Sequence, residues 1–295
     1  MKPGVGFVGV GAMGAPMIGH VLAAGYPVRV YARRAEAART LVERGAVLCA
    51  SPAEAARGAT IFCTNVTNTA DVEAVLFGGD GACEGLAHGS VVIDFSTISA
   101  VVTQQLAVRL AEIGVDMLDC PVSGGEKGAR EASLAMMVGG DAAVLERVRP
   151  LLSCLGRSIT HIGANGHGQV AKACNQLVQV VTIQAIAEAM LFAERNGADT
   201  GRVLSAMQSG FAGSRMLDLM GPRMVEGNFA AGIEARLHQK DFALVMALTQ
   251  SLGLSLPAAA ITSQQLNALV GRGWGRDDTS SLLRVLQGLN APERD

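Results

Sequence analysis

Charge is what this sequence has little of: 17% of its 295 residues are Asp, Glu, Lys or Arg, while 49% are hydrophobic. An ordinary soluble domain carries roughly 25% charged residues. The deficit predicts more buried surface than usual, with subunit contacts as its destination, so a homodimer or homotetramer is expected. The formal net charge of −2 supplies no basic surplus, which argues against nucleic acid or an anionic membrane as a partner. Paired cysteines are missing too. Cys49, Cys63, Cys83, Cys120, Cys154 and Cys174 stand singly with no CxxC spacing, so neither a disulfide framework nor a zinc site is expected. The five histidines lack an HExxH-type pairing, and no metal site is expected from them. No uninterrupted apolar run reaches the ~20 residues that a bilayer requires, because Gln176, Gln179, Gln184 and Glu188 break the longest candidate. The apolar, glycine-rich start reads as a strand, a turn and a helix rather than as a signal peptide, and a cytoplasmic protein is expected.

That start carries the strongest positive signal. Val5 to Val8 is a short apolar run suited to a buried strand, Gly9-Val10-Gly11-Ala12-Met13-Gly14 follows at once, and Pro16 to Ala24 reads as a helix. Strand, glycine turn and helix in this order form a dinucleotide-binding fingerprint, which a lone GxGxxG does not. Gly9 allows the tight turn, Gly11 lets backbone N–H groups approach a pyrophosphate at the positive helix end, and Gly14 lets helix and strand pack closely. A site for NAD usually ends its second strand with Asp or Glu, which hydrogen-bonds the ribose 2′-hydroxyl. Here Val28 to Tyr31 runs into Ala32-Arg33-Arg34. A guanidinium there can hold a 2′-phosphate, so NADP is expected in preference to NAD, with Arg33 as the contact. The competing reading makes Arg33 and Arg34 solvated residues opening the next helix, a poor placement beside a positive dipole end.

Apolar runs then alternate with helical stretches. Ile61 to Thr64, Val91 to Asp94 and Val115 to Leu118 read as strands, with helices from Asp71 to Phe77 and Val101 to Ile113 between them. Leu134 to Val138 and Ser158 to His161 read as further strands around a helix from Ala142 to Leu155. The alternation predicts an α/β Rossmann fold, a doubly wound parallel sheet. From about Gly168 the pattern is helical throughout, beginning with a long segment to about Asn196 whose apolar residues surround most of the axis. Gly163, Gly166 and Gly168 mark the hinge. The expected domains are 1–163, binding NADP, and 164–295, an all-α C-terminal domain for substrate and oligomerisation.

Four segments carry groups capable of chemistry. Lys172 falls near the start of the long helix, with Asn175 and Gln176 on the same face at i+3 and i+4. The dipole disfavours a charge there, and a dry site would lower the amine's pKa further, as suits a proton donor and acceptor; otherwise these are surface residues. Asp119 to Gly125 follows a strand, so Ser123 can donate a hydroxyl hydrogen bond and the N–H groups of Gly124 and Gly125 can cradle a carboxylate. In Asp94-Phe95-Ser96-Thr97-Ile98-Ser99, Ser99 reads as an N-cap and Thr97 as a lining of the nicotinamide pocket. Lys240-Asp241 reads as exposed charge on an amphipathic helix.

Taken together, these segments resemble the β-hydroxyacid dehydrogenase family, almost end to end. The carriers are Gly9 to Met17, Ser96 to Ser99, Asp119 to Ala129, Gly168 to Gln176 and Lys240-Asp241. The resemblance implies that Lys172 is the catalytic acid/base, that Asn175 helps place substrate, and that Ser123, Gly124 and Gly125 hold a small-molecule carboxylate. It also implies cofactor contacts at Met13, Val66, Thr67, Thr97 and Lys240. Two departures are visible: Ala100 stands where a proline commonly follows, and Asn65-Val66-Thr67 replaces a more usual Met-Leu-Pro. The expected activity is NADPH-dependent reduction of a small semialdehyde acid, first of all tartronate semialdehyde to glycerate. The alternatives are 3-hydroxyisobutyrate dehydrogenase, glyoxylate or succinic semialdehyde reductase, imine reductase, and a noncatalytic NADP-binding module. Lys172 argues against imine chemistry, which in this architecture usually employs Asp or Tyr instead. The joint presence of Ser123, Lys172 and Asn175 argues against a noncatalytic module.

Overall fold

The computed structural model describes residues 2–291. Its contacts divide the chain into two compact units, Met1–Lys172 and Ala173–Asp295. The division falls inside a continuous helix, a few residues beyond the glycine-rich hinge.

In the first unit β1 (Val5–Val8), α1 (Gly14–Ala23), β2 (Val28–Tyr31), α2 (Arg39–Glu43), β3 (Val47–Leu48) and α3 (Pro52–Ala56) are followed by β4 (Ile61–Thr64), α4 (Thr69–Phe77), β5 (Val91–Asp94), α5 (Ala100–Glu112) and β6 (Asp116–Asp119). These six strands pair in the order β3-β2-β1-β4-β5-β6, all parallel. β1, β4 and β5 are buried at every position, which is why they read as continuous apolar runs rather than as alternating ones. The pleat still sorts their side chains. Phe7, Ile61 and Cys63 join Met17 and Ile18 in one core, while Val8 and Phe62 join Leu76, Leu106 and Leu110 in another. The strand order reverses between β1 and β4, the switch point at which open α/β sheets bind ligands beyond the strands' carboxyl ends.

Past β6 the sheet departs from the purely parallel arrangement that the alternation predicts. β7 (Val122–Ser123), α6 (Gly125–Arg130), β8 (Leu134–Gly139), α7 (Ala142–Leu152) and β9 (Gly156–Gly163) complete it. β8 runs antiparallel to both β6 and β7, and β9 parallel to β8. The stretch 124–133 is shorter than the dozen or more residues a parallel crossover needs, so β7 and β8 pair as a reversed strand pair.

The second unit is helical. α8 (His167–Arg195) enters it from the first unit, and α9 (Thr200–Gln208), α10 (Arg215–Glu226), α11 (Ala235–Ser251), α12 (Pro257–Leu269) and α13 (Leu282–Leu289) follow. Asp199 and Ser214 cap the starts of α9 and α10 through the backbone N–H groups of Arg202 and Leu217. Gly227 ends α10 in the left-handed conformation. By length and composition α8 could cross a membrane, yet half of its most apolar stretch is buried within the protein. Val180, Ile183, Ala187 and Met190 form the spine of a core with Leu217, Met220, Phe242, Leu266 and Leu282.

Candidate active site

The glycine turn after β1 is fixed by backbone contacts at two of its three glycines. Gly9 has φ +108°, and a Cβ there would stand 2.0 Å from the Asn65 carbonyl oxygen. A Cβ on Gly14 would stand 1.8 Å from the Gly9 carbonyl oxygen. At Gly11 a Cβ would meet nothing within 4 Å, so protein packing does not call for glycine there, whereas close approach of a pyrophosphate does. Met13 precedes α1 without a side-chain cap, and no acidic residue stands in the first turn. The positive end of α1 is therefore left to a phosphate. Met13 itself is half-buried against the first core.

A cleft of about 450 Å³ opens beside this turn and brings together Gly9, Gly11, Arg33, Arg34, Val66 and Thr67. Both arginines are exposed, and Arg34 also precedes a short turn of 3₁₀ helix at Ala35–Ala38. Asp71, in the first turn of α4, contributes a carboxylate to the same lining. The strand β2 ends without one. These residues fit a dinucleotide: Gly11 and the start of α1 would take its pyrophosphate, and Arg33 and Arg34 line the same cleft.

Beyond the carboxyl ends of β4, β5 and β6 lies a buried polar network that the sequence did not announce. Asp94, fully buried, accepts hydrogen bonds from Thr64 Oγ1 at 2.8 Å and the Ser96 N–H at 3.0 Å. Burial pushes its carboxyl up to about 6 against the pull of those bonds. Ser96 Oγ accepts from the Val66 N–H at 2.9 Å, tying the cleft to the next loop. Gln169 then grips that loop on both sides of Thr97: its Nε2 donates to the Ser96 carbonyl at 2.8 Å and its Oε1 accepts from the Ile98 N–H at 3.1 Å. Ser99 caps α5, as its position predicts, accepting from the Val102 N–H. Asp119 is also fully buried and accepts from the N–H groups of Gly166 at 2.8 Å and Gln169 at 3.0 Å. Burial raises its carboxyl, and bonds from the Gly166, Gln169 and Gly168 backbone pull it back. The sequence signal for both acids was available: each is a charged residue closing an apolar strand immediately before a candidate loop.

Lys172 is in the second turn of α8 and is 8% exposed, so the surface-lysine reading fails. Ser123 ends β7, half-buried, and Gly124 and Gly125 follow with φ +134° and +61°. Both values lie in the region that favours glycine, so a side chain at either position would strain the turn.

In the second unit Asn175 Nδ2 donates to Gln176 Oε1 at 2.8 Å and to Gln179 Oε1 at 3.3 Å. Gln176 Nε2 donates to Asp241 Oδ2 at 2.6 Å, and Lys240 Nζ stands 2.8 Å from Asp241 Oδ1. The Lys240-Asp241 pair is thus no exposed charge on a solvated face: Asp241 is buried and the Lys240 side chain largely covered. An isolated buried carboxylate is costly, and these two partners offset that cost. Elsewhere in the second unit Ser214 caps α10, Phe211 is fully exposed, and Phe229 lines a cavity of about 360 Å³.

Fold, fingerprint and buried lysine define a nicotinamide-dependent dehydrogenase. Residues 4–163 match the family model of the NAD binding domain of 6-phosphogluconate dehydrogenase. Residues 166–286 match the model for NAD-binding of NADP-dependent 3-hydroxyisobutyrate dehydrogenase. The chain belongs to the β-hydroxyacid dehydrogenase family, oxidoreductases that act on a CH–OH group with a nicotinamide cofactor. Among its relatives, the 2-hydroxy-3-oxopropionate reductase of Escherichia coli K12 is 40% identical over 96% of this chain and 97% of its own. The NAD-dependent L-serine dehydrogenase of Pseudomonas aeruginosa is 33% identical over 95% and 97% respectively. Among solved structures, the 3-hydroxyisobutyrate dehydrogenase of Mycobacterium tuberculosis with L-serine superposes with a TM-score of 0.90 at 30% identity, covering 97% of this chain and all of that one.

Proposed function

We propose that this protein reduces a small semialdehyde carboxylic acid to the hydroxy acid with NADPH, and that tartronate semialdehyde, that is 2-hydroxy-3-oxopropionate, giving glycerate, is the preferred substrate. The observation that carries the reaction is the buried Lys172, 8% exposed as a residue, in the second turn of α8. The substrate choice draws on the 40% identical reductase that bears that substrate's name. The cofactor choice draws on Arg33 and Arg34 in the cleft lining.

The cofactor, when bound, supplies hydride to the carbonyl carbon. The chain's own groups do the rest. As charge builds on the carbonyl oxygen, the Lys172 ammonium donates it a proton; in the reverse direction the neutral amine withdraws that proton from the hydroxyl. Ser123 Oγ–H and the N–H groups of Gly124 and Gly125 hold the carboxylate and so set the position of the reacting carbon. Asn175, its amide plane fixed by Gln176 and Gln179, orients the substrate. Lys240, braced by Asp241, contacts the cofactor. A cytoplasmic setting belongs to this proposal and accords with six free cysteines.

The second reading, oxidation of 3-hydroxyisobutyrate or L-serine with NAD, is favoured by the structural neighbour solved with L-serine. A steady-state panel of tartronate, methylmalonate and succinic semialdehydes, glyoxylate, 3-hydroxyisobutyrate and L-serine, each with both cofactors, separates the two. The proposal expects kcat/KM at least about tenfold higher for tartronate semialdehyde with NADPH than for any other pair. A preference for L-serine or 3-hydroxyisobutyrate with NAD overturns it.

A further inference from the structure

We propose that Asp119 is a positioning residue for catalysis: its buried carboxylate fixes the start of α8 and thereby the place of Lys172. The inference rests on the reading of Lys172 as the acid/base. Asp119 closes β6, three residues before β7 and four before Ser123, so its backbone roots the loop that is to hold the substrate carboxylate. Its side chain reaches the other way. Oδ1 accepts from the Gly166 N–H at 2.8 Å and Oδ2 from the Gln169 N–H at 3.0 Å, two of the backbone donors that open α8. One carboxylate therefore ties the root of the anion loop to the start of the helix whose second turn carries Lys172.

The surroundings are built around that carboxylate. Gly139 pairs with Asp119 across β6 and β8, and a Cβ on Gly139 would stand 2.5 Å from Oδ1 and 2.7 Å from Oδ2. A Cβ on Gly168 would stand 2.7 Å from Oδ2. Asn165 Nδ2 adds a donation to the Met117 carbonyl at 2.7 Å, pinning the approach to α8 onto β6 a second time. The titratable groups beside the Asp119 carboxylate are Asp94 on β5 and Cys120 next to it in the chain, while Gly139 on β8 and Gly168 on α8 do not titrate. Burial raises Asp94, Asp119 and Cys120 alike, and the backbone donors at the start of α8 favour the Asp119 anion against it.

Asp119→Asn tests this with little change of shape. The amide offers one acceptor oxygen, and its NH₂ then confronts a backbone N–H that needs an acceptor. A displaced helix start costs reactive geometry steeply, since about 1 Å is worth up to ~100-fold in rate. The expected result is a kcat reduced about 10- to 100-fold, with KM and the NADPH dissociation constant, read by cofactor fluorescence, within about threefold of wild type. The high-pH limb of the kcat profile for reduction should also move, because a displaced helix start changes the surroundings of the Lys172 amine. Amide hydrogen exchange of 166–172 in the cofactor-free protein should quicken. A merely structural lesion would lower kcat evenly across pH. Should the variant not fold, Gly139→Ala, which displaces the carboxylate without removing it, must reproduce the loss of kcat. Normal kcat with an unmoved pH limb in either folded variant overturns the proposal. A dead Lys172→Ala beside such a result leaves the Lys172 reading standing, whereas an active Lys172→Ala removes that reading itself.

Discussion

Under the proposed NADPH preference, Arg33 is the residue expected to carry cofactor choice. Charge-assisted hydrogen bonds to a phosphate contribute about 1.5–3 kcal/mol, or roughly 10- to 100-fold. Arg33→Asp should therefore lower the NADPH to NADH ratio of kcat/KM by at least about tenfold; a wild-type enzyme that prefers NADH contradicts the assignment. Asp94 governs stability in a different way. Its carboxyl titrates near 6 in the folded chain because burial disfavours the anion, against about 3.9 when unfolded. A raised carboxyl contributes most below the unfolded value and loses that contribution as pH climbs through the folded one. Between pH 4 and pH 7 the stability of wild type relative to Asp94→Asn should therefore fall by about 2 kcal/mol, measurable by urea unfolding at the two pH values. A constant difference would show that Asp94 does not titrate as its burial implies.

At the scale of the element, the glycine turn and α1 separate packing from ligand binding within six residues. Gly14→Ala forces a Cβ onto the Gly9 carbonyl oxygen and should cost ~3 kcal/mol or more. Gly11→Ala meets no protein atom within 4 Å and should leave the melting temperature unchanged while weakening cofactor binding at least about tenfold. Calorimetry and cofactor titration on the two variants read this directly, and equal effects on stability would contradict it. Elements of this kind were legible in the sequence because their periodicity is local. β1, β2, β4 and β5 have the expected bounds, since a four-residue apolar run between polar turns has few other solutions. The two-residue strands β3 and β7 and the antiparallel turn of β8 were not legible, because their pairing is decided by neighbours distant in sequence. The same holds for the site. Lys172, Ser123 and the glycines carry recognisable spacing, whereas the grip of Gln169 on both sides of Thr97, the cap by Asp119 and the burial of Asp241 exist only once distant segments meet.

For the whole molecule, the shortage of charge and the surface of α8 point in one direction. Val178 and Phe192 are 65% and 71% exposed, and with Ala185 they follow a seven-residue spacing that lays them along one helical stripe. A second copy of the chain is the proposed cover. Light scattering should give a dimer or tetramer, and Phe192→Glu should shift it toward the monomer; a monomeric wild type removes this part of the account. The proposed reaction depends on Lys172 as its proton donor, and single-turnover kinetics of Lys172→Ala, loaded with NADPH and mixed with tartronate semialdehyde, test that most directly. The account predicts a folded variant that binds NADPH as wild type does and oxidises it at least about a thousandfold more slowly. Oxidation at a near wild-type rate would contradict it.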